Sequence, residues 1–394
     1  MQREVVVVEG VRTPIGDFGG ALKDLSPTDM GARVVAEVLS RSGVSGSDVE
    51  QVVFGNVIHT EPADMYLGRV AALRGGVAQN ATALTVNRLC GSGLQAIISA
   101  AQSVLLGDAE IAIAGGAESM SRAPYSMPSA RFGNRMGNAR LIDMMVGALT
   151  DPFDNTHMGV TAENVAQKYG ISRAMQDSLA VNSHRRAANA IAKGYFTEQI
   201  LPIPIETKRG IAVFDCDEHV RPETRVDDLA KLRPAFSTDG GTVTAGNSSG
   251  INDGAAALLL MERKAAERRR LRSLGQLIAY AHAGVDPRYM GVGPVPAVRK
   301  ALERAGLKID DIDVIEANEA FASQACAVAI QLGFDPDKLN PNGSGIALGH
   351  PIGATGAILT VKALYELRRV GGKHALVTMC IGGGQGIAAI FRRE

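Results

Sequence analysis

The chain has 394 residues, 46% of them hydrophobic and 21% charged, a composition that excludes the disordered and fibrous classes. Lysine plus arginine (41) equals aspartate plus glutamate (41), so no global field draws the protein to nucleic acid or an anionic membrane, and an anionic ligand must be met by local charge. Four cysteines cannot make a disulfide framework, and they lack the close Cys-x-x-Cys pairs of structural zinc, so free thiols in a reducing cytoplasm are expected.

Two or three domains are expected at this length. Val5 to Val8 reads as a buried strand, because the apolar run is too short for a signal-peptide core and Glu9, Arg12 and a Pro-Ile-Gly turn follow it. A helix over Pro27 to Ser40, strands at Val52 to Phe54 and Ala83 to Val86, a helix after Cys90 and a strand at Ile111 to Ala114 come next. Strands alternating with helices predict an α/β sheet covered on both faces. From about Glu118 to Ser249 the character changes to methionine, arginine, asparagine and proline, with amphipathic helices near Ala162 to Tyr169 and Arg173 to Lys193. This stretch reads as an inserted loop domain, and within it Ser129 to Met145 is either a subunit-contact arm or a solvated irregular loop. The longest apolar stretches, such as Gly254 to Met261, are shorter than the ~20 residues that span a bilayer, so no membrane segment is expected.

An internal repeat organises the rest. Ser42-Gly43-Val44 followed by Asp48-Val49-Glu50-Gln51-Val52 recurs, at identical spacing, as Ala305-Gly306-Leu307 followed by Asp311-Ile312-Asp313-Val314-Ile315. Each copy reads as a helix end, a glycine cap, an acidic loop and a buried strand. Gly107 to Ile113 and Gly371 to Val377 form a second such pair. Two copies of one α/β unit, packed with a cleft between them, are expected.

The chemistry-bearing residues lie at matching places in the two copies. Asn87-Arg88-Leu89-Cys90-Gly91-Ser92-Gly93 puts a cysteine between a strand and a helix, where the positive end of the helix dipole and free N–H groups favour a thiolate. Without help, a thiol of pKa ≈ 8.5 is only a few per cent ionised at neutral pH. Taken alone, such a cysteine is more often a small buried hydrophobe. In the second copy, Asn342 to Gly356 is a glycine-rich turn around His350 that leads into an apolar helix. A histidine between Gly349 and Pro351 has little packing reason to be there, and within reach of Cys90 it could take the thiol proton. Cys380-Ile381-Gly382-Gly383-Gly384-Gln385-Gly386 follows a buried strand from Ala375 to Met379. Its N–H groups could face an oxyanion, but the same glycines would also suit a phosphate loop or tight packing. Asn318, in Glu316-Ala317-Asn318-Glu319-Ala320-Phe321, would be a neutral partner for a water or for His350. Cys216 and Cys326 are expected in the core, and His59, His184, His219, His282 and His374 receive no catalytic role.

With NRLCGSG, GHPIGATG and CIGGGQG in this order, and NEAF between the first and second, the chain resembles thiolases along essentially its whole length. The pattern is most like bacterial biosynthetic β-ketothiolases, including those that feed polyhydroxyalkanoate synthesis. The resemblance implies a thiolase fold: two repeated βαβαβαββ halves in a five-layered α-β-α-β-α arrangement with an inserted loop domain. Residues 1–118, completed by 250–271, would form the N-terminal half, 119–249 the loop domain and 272–394 the C-terminal half. It further implies a cytoplasmic homotetramer acting on acetyl-CoA, short-chain acyl-CoA and coenzyme A, with no metal or redox cofactor. Cys90 would carry the acyl group, activated by His350, and Cys380 would move the α-proton. Asn318 would hold a water in one oxyanion hole, and the N–H groups of Cys90 and Gly382 would form the other. Coenzyme A contacts would fall at Leu149, His157, Met158, Arg221, Ala245, Gly246 and Ser249, with Met290, Ala320 and Phe321 nearer the pantetheine and acyl end. Asp228 departs from the serine of acetyl-specific members and is left out of the site.

Other condensing enzymes of the same fold are the nearest alternative, with a non-catalytic acyl-CoA-binding relative behind them. Decarboxylating ketoacyl synthases commonly need two histidines, whereas this chain offers His350 plus Cys380. A cysteine peptidase would need flanking sequences that are missing here, and the glycine runs lack the spacing of a dinucleotide fingerprint.

Overall fold

A computed structural model describes residues 3–208 and 210–394. The first copy of the repeat contains β1 (Val5–Arg12), α1 (Pro27–Ser42), β2 (Gln51–Gly55), α2 (Leu67–Arg74), β3 (Thr82–Val86), α3 (Ser92–Leu106), β4 (Ile111–Ser119) and β5 (Asn252–Glu262). Between β4 and β5 the chain leaves the main sheet, and its principal helices there are α4 (Met158–Tyr169) and α5 (Arg173–Ala192). The second copy contains β6 (Gly275–Gly284), α6 (Pro294–Ala305), β7 (Val314–Ala317), α7 (Ala322–Leu332), α8 (Thr355–Val370), β8 (His374–Ile381) and β9 (Gln385–Arg392).

The strands run in the order β7-β8-β9-β6-β1-β5-β4-β2-β3. Read outward from the β1/β6 junction, each side shows the same pattern. β1 and β6 pair antiparallel with β5 and β9, which pair antiparallel with β4 and β8, which pair parallel with β2 and β7. The junction is itself antiparallel, with Val6 opposite Gln276 and Val7 opposite Gly275. That arrangement gives the repeat its pseudo-two-fold relation.

Side-chain alternation divides the core into layers. Val5 and Val7 of β1, Leu258 and Leu260 of β5 and Ile387, Ala389 and Phe391 of β9 face the central helices α3 and α8. The intervening Val6, Val8, Leu259 and Met261 pack on α1 and α2, while Ala388 and Ile390 pack on α6. Because strands are covered on both faces, β1, β5 and β9 read as continuous apolar runs rather than alternating ones. Leu89–Leu106 is long and apolar enough to match a bilayer span by composition, but α3 lies between the two copies, and its apolarity fills that interior.

The repeated glycines do the same job in both copies. Gly43, Gly107, Gly306 and Gly371 all cap helices with φ near +65° to +90°, a conformation that costs other residues more. At the front ends of the central helices, a Cβ on Gly93 would lie 2.7 Å from Ala357 N, and one on Gly356 would lie 2.2 Å from Leu94 N. The N-termini of α3 and α8 therefore touch, as the matching places of Cys90 and His350 require. A fully buried ion pair, Arg12 to Asp217 with bonds of 2.7 and 2.9 Å, ties the strand end of β1 to the inserted stretch. Ser129 to Met145 is largely exposed, with Phe132 and Met136 facing out.

Candidate active site

Cys90 sits on a strained turn. Between β3 and α3, Leu89 adopts φ +46°, a region that costs a branched residue on the order of 1–3 kcal/mol and persists only where surroundings enforce it. Here Asn87 Oδ1 accepts the Leu89 N–H at 2.9 Å, while Ser92 Oγ accepts from Arg88 N–H at 2.9 Å and donates to Leu89 O at 2.7 Å. The sequence placed Cys90 in a strand-turn-helix but gave no sign of the strain, since leucine is an improbable residue there.

At Cys90 the pull of the helix N-terminus is opposed by burial. Cys90 is half-buried, and the protein around its sulfur pushes the thiol up to about 11; the N–H groups of Gly382 and of Cys90 itself pull the other way, and the charge of Glu118 adds to the rise. Burial outweighs the amides because a thiolate loses more hydration than the N–H groups return. At neutral pH Cys90 is therefore a thiol.

The turn that carries His350 is fixed by close packing and hydrogen bonds. Gly349 has φ +106°, and a Cβ there would lie 2.5 Å from Asn252 Cγ, so only glycine brings the chain this close. Asn252 Oδ1 accepts the His350 N–H at 2.9 Å. Thr355 Oγ1 donates to Pro351 O at 2.9 Å and lies 2.6 Å from His350 Nδ1, so it accepts the Nδ1 proton. That assignment leaves Nε2 with its lone pair, 3.3 Å from Asn318 Nδ2. Burial pushes the imidazole down to about 4, so it is neutral and able to accept a proton. Asn318 follows β7 and is held by its N–H to Thr378 O on β8 at 3.0 Å, while its own Oδ1 is buried without a protein partner.

Cys380 lies near the end of β8, fully buried. Burial pushes its thiol strongly up, and the field of Cys90 adds to the rise; a Cβ on Gly91 would lie 2.7 Å from Ile381 Cδ1, so the Cys90 turn packs on the residue after Cys380. Met158, Met290, Ala320 and Phe321 pack in the same apolar cluster as Cys380, and Leu149 packs with Cys90 and Ile352 in the adjoining one. His157 stacks on Phe236 at 4.6 Å between ring centroids, and Phe236 meets Phe321 edge-on at 6.3 Å. Ser249 N–H bonds Ala320 O at 3.0 Å, Gly246 lies against Leu229 and Leu232, and Ala245 is exposed. Arg221 is also exposed. Its N–H bonds His184 Nδ1 at 3.1 Å, and neighbouring His219 touches Gly250, so Arg221 stands at the outer rim.

Phe236, Asn252, Thr355 and Glu118 were missed from sequence. Thr355 could have been found, because a threonine five residues after a histidine on a glycine turn can reach back to its ring; the others come from remote segments. Cys326 is buried as expected, but Cys216 is exposed rather than in the core, beside Asp215, which faces solvent, while Asp217 turns inward to Arg12. A separate cavity of about 680 Å³ between α5 and α7, lined by Leu179, Arg186, Cys326 and Ile330, contains none of the catalytic candidates. Among the described residues no group of three His, Cys, Asp or Glu side chains is placed to hold a metal.

Known proteins share this fold along the whole chain. Residues 5–264 match the description "Thiolase, N-terminal domain" and residues 271–393 "Thiolase, C-terminal domain". The chain is 68% identical over 393 residues to beta-ketothiolase BktB of Cupriavidus necator, with 100% of both chains covered. It is 49% identical to an acetyl-CoA acetyltransferase of Syntrophomonas wolfei, with 99% of each covered. The structure of human mitochondrial 3-ketoacyl-CoA thiolase in complex with CoA superposes with a TM-score of 0.96 at 44% identity, covering 100% of this chain and 98% of that one. With both family halves matched in order and the fold shared from end to end, this chain is an acyltransferase that belongs to the thiolase family.

Proposed function

We propose that the chain catalyses the reversible Claisen condensation of acetyl-CoA with acetyl-CoA or a short acyl-CoA, giving a 3-ketoacyl-CoA and CoA through an acyl-Cys90 thioester. The observation that carries this reading is the packing of the Cys90 turn against the end of the strand that bears Cys380, where a Cβ on Gly91 would lie 2.7 Å from Ile381 Cδ1, together with the meeting of the two helices that follow Cys90 and His350, where a Cβ on Gly93 would lie 2.7 Å from Ala357 N.

Cys90 sulfur attacks the thioester carbonyl as its proton passes to His350 Nε2, and the N–H groups of Cys90 and Gly382 stabilise the oxyanion. The leaving CoA thiolate takes the Cys380 proton. Cys380 thiolate, made strongly basic by burial, then removes the α-proton of the second acyl-CoA. His350 and a water on Asn318 stabilise the resulting enolate, which attacks the acyl-Cys90 carbonyl. The released Cys90 thiolate recovers its proton from the His350 imidazolium. Every group ends as it began, with no cofactor beyond the CoA thioesters themselves.

Leu149, His157, Met158, Arg221, Ala245, Gly246 and Ser249 line the CoA path from rim to sulfur in this reading, with Met290, Ala320 and Phe321 at the pantetheine and acyl end. Residues 119–249 act as the loop domain between the halves 1–118 with 250–271 and 272–394, and Ser129 to Met145 is a subunit-contact arm of a cytoplasmic homotetramer. The name of the Cupriavidus relative supports a role in β-ketothiolysis, and supplying polyhydroxyalkanoate synthesis is the pathway role in this reading. Cleavage of both four- and five-carbon 3-ketoacyl-CoA by free CoA is the expected result. Activity confined to the four-carbon substrate would remove the short-chain extension, and no activity with either would remove the assignment.

The pH profile follows from His350. It must be neutral to accept the Cys90 proton, and burial holds its pKa near 4. Its protonation therefore removes activity only as the pH falls toward that value, not through the ordinary histidine range near 6.5. Measured as kcat/KM for thiolysis, the acid limb should lie well below pH 6. A midpoint at 6.5 would mean that His350 is more solvated during turnover than its surroundings indicate.

A further inference from the structure

Glu118 is fully buried at the end of β4, and no step above uses it. Its Oε1 accepts from Asn56 Nδ2 and Ile58 N–H, both at 3.0 Å, and its Oε2 accepts from Val57 N–H at 3.0 Å and Gly353 N–H at 2.8 Å. Four donors surround it and none is an acceptor. Burial, with the charge of Asp64 behind it, pushes the carboxyl up to about 8. The donor set nonetheless decides for the ionised form, because a protonated oxygen would point its O–H at an N–H.

Gly353 lies between His350 and the start of α8. A Cβ on it would come within 2.4 Å of Glu118 Oε2. Its carbonyl oxygen would in turn be struck by a Cβ on Gly55, Gly93 or Gly116, at 2.8, 3.1 and 2.3 Å. The His350-bearing loop is thus pressed into a glycine-lined seat on the first copy, beside the helix that Cys90 precedes, and Glu118 closes the seat.

We propose that Glu118 is a positioning residue: its four-fold hydrogen-bonded carboxylate seats the His350 loop of one copy against the Cys90 turn of the other. The same charge adds a small part to the rise of the Cys90 thiol, which burial dominates. The proposal rests on the reading of Cys90 and His350 given above.

The test is Glu118→Gln in the full-length protein. Glutamine fills the same space but, in either orientation, turns its NH2 toward two N–H donors and removes the charge. Thiolysis should lose about 100-fold in kcat, as for a misplaced catalytic group, with KM for CoA little changed. Alkylation of Cys90 by iodoacetamide at pH 7.5, mapped by mass spectrometry, should not slow, because removing the Glu118 charge takes away a contribution that raises the thiol. Buried Cys326 should stay unmodified, which separates this from unfolding. A kcat within twofold of the parent, or an alkylation rate that falls together with kcat, overturns the proposal. Should Glu118→Gln fail to fold, Asn56→Leu removes one donor only. About a fivefold loss of kcat is then expected, and an unchanged kcat overturns the proposal. A parent protein without thiolysis would instead overturn the functional reading on which it stands.

Discussion

Cys90→Ala should abolish both directions of the reaction, lowering kcat on the order of 10⁴-fold or more, while leaving the fold intact. The size of the effect follows from the covalent route. Without the sulfur there is no acyl-enzyme, and residual catalysis comes only from binding and the oxyanion donors. A loss of that size is about 5.5 kcal/mol of transition-state stabilisation. The fold should tolerate the change because Cys90 is half-buried and its turn is held by Asn87 and Ser92 rather than by its own side chain. Incubation with acetyl-CoA followed by intact-protein mass spectrometry gives the decisive reading. The parent should carry one acetyl group and Cys90→Ala none. An acetylated variant, or one that keeps more than a small fraction of its turnover, would move the nucleophile elsewhere.

Cys380→Ser separates the two halves of the reaction. A serine hydroxyl is far too weak an acid to supply the basic anion that a buried thiol can, so carbon–carbon bond formation and cleavage should fall by roughly 10²- to 10⁴-fold, the usual worth of a general base. Acylation of Cys90 should persist at a reduced rate, because its base is His350 and its oxyanion donors are untouched. Acetyl-CoA should therefore still label Cys380→Ser with close to one acetyl group per chain, which then accumulates for want of an enolate. Loss of labelling in step with loss of condensation would show that Cys380 is needed equally for both halves, and the division of labour between the two thiols would be wrong. His350 and Cys380 come from one copy of the repeat and Cys90 from the other, so the experiment also asks whether each copy supplies a separable function.

Much of this was written locally in the chain. The glycine caps at 43, 107, 306 and 371, the apolar strands and the motifs around Cys90, His350 and Cys380 rest on interactions within a few residues, and local interactions leave local patterns. The repeat was visible for the same reason: matched caps and strands keep matched spacing even when side chains differ. Tertiary structure alone decided which remote segments meet. β5 completes the first copy only after the long excursion through α4 and α5. Asn252 and Glu118 reach His350 and its loop across more than ninety residues of sequence, with |i−j| of 98 and 235. Phe236, in a stretch without periodicity, becomes the stacking partner of His157. The ionisation of Cys90 is likewise set by more than the local sequence. A helix N-terminus is a feature of the local sequence, but the loss of water around a sulfur is set by every segment packed upon it, and that larger effect pushes the thiol up.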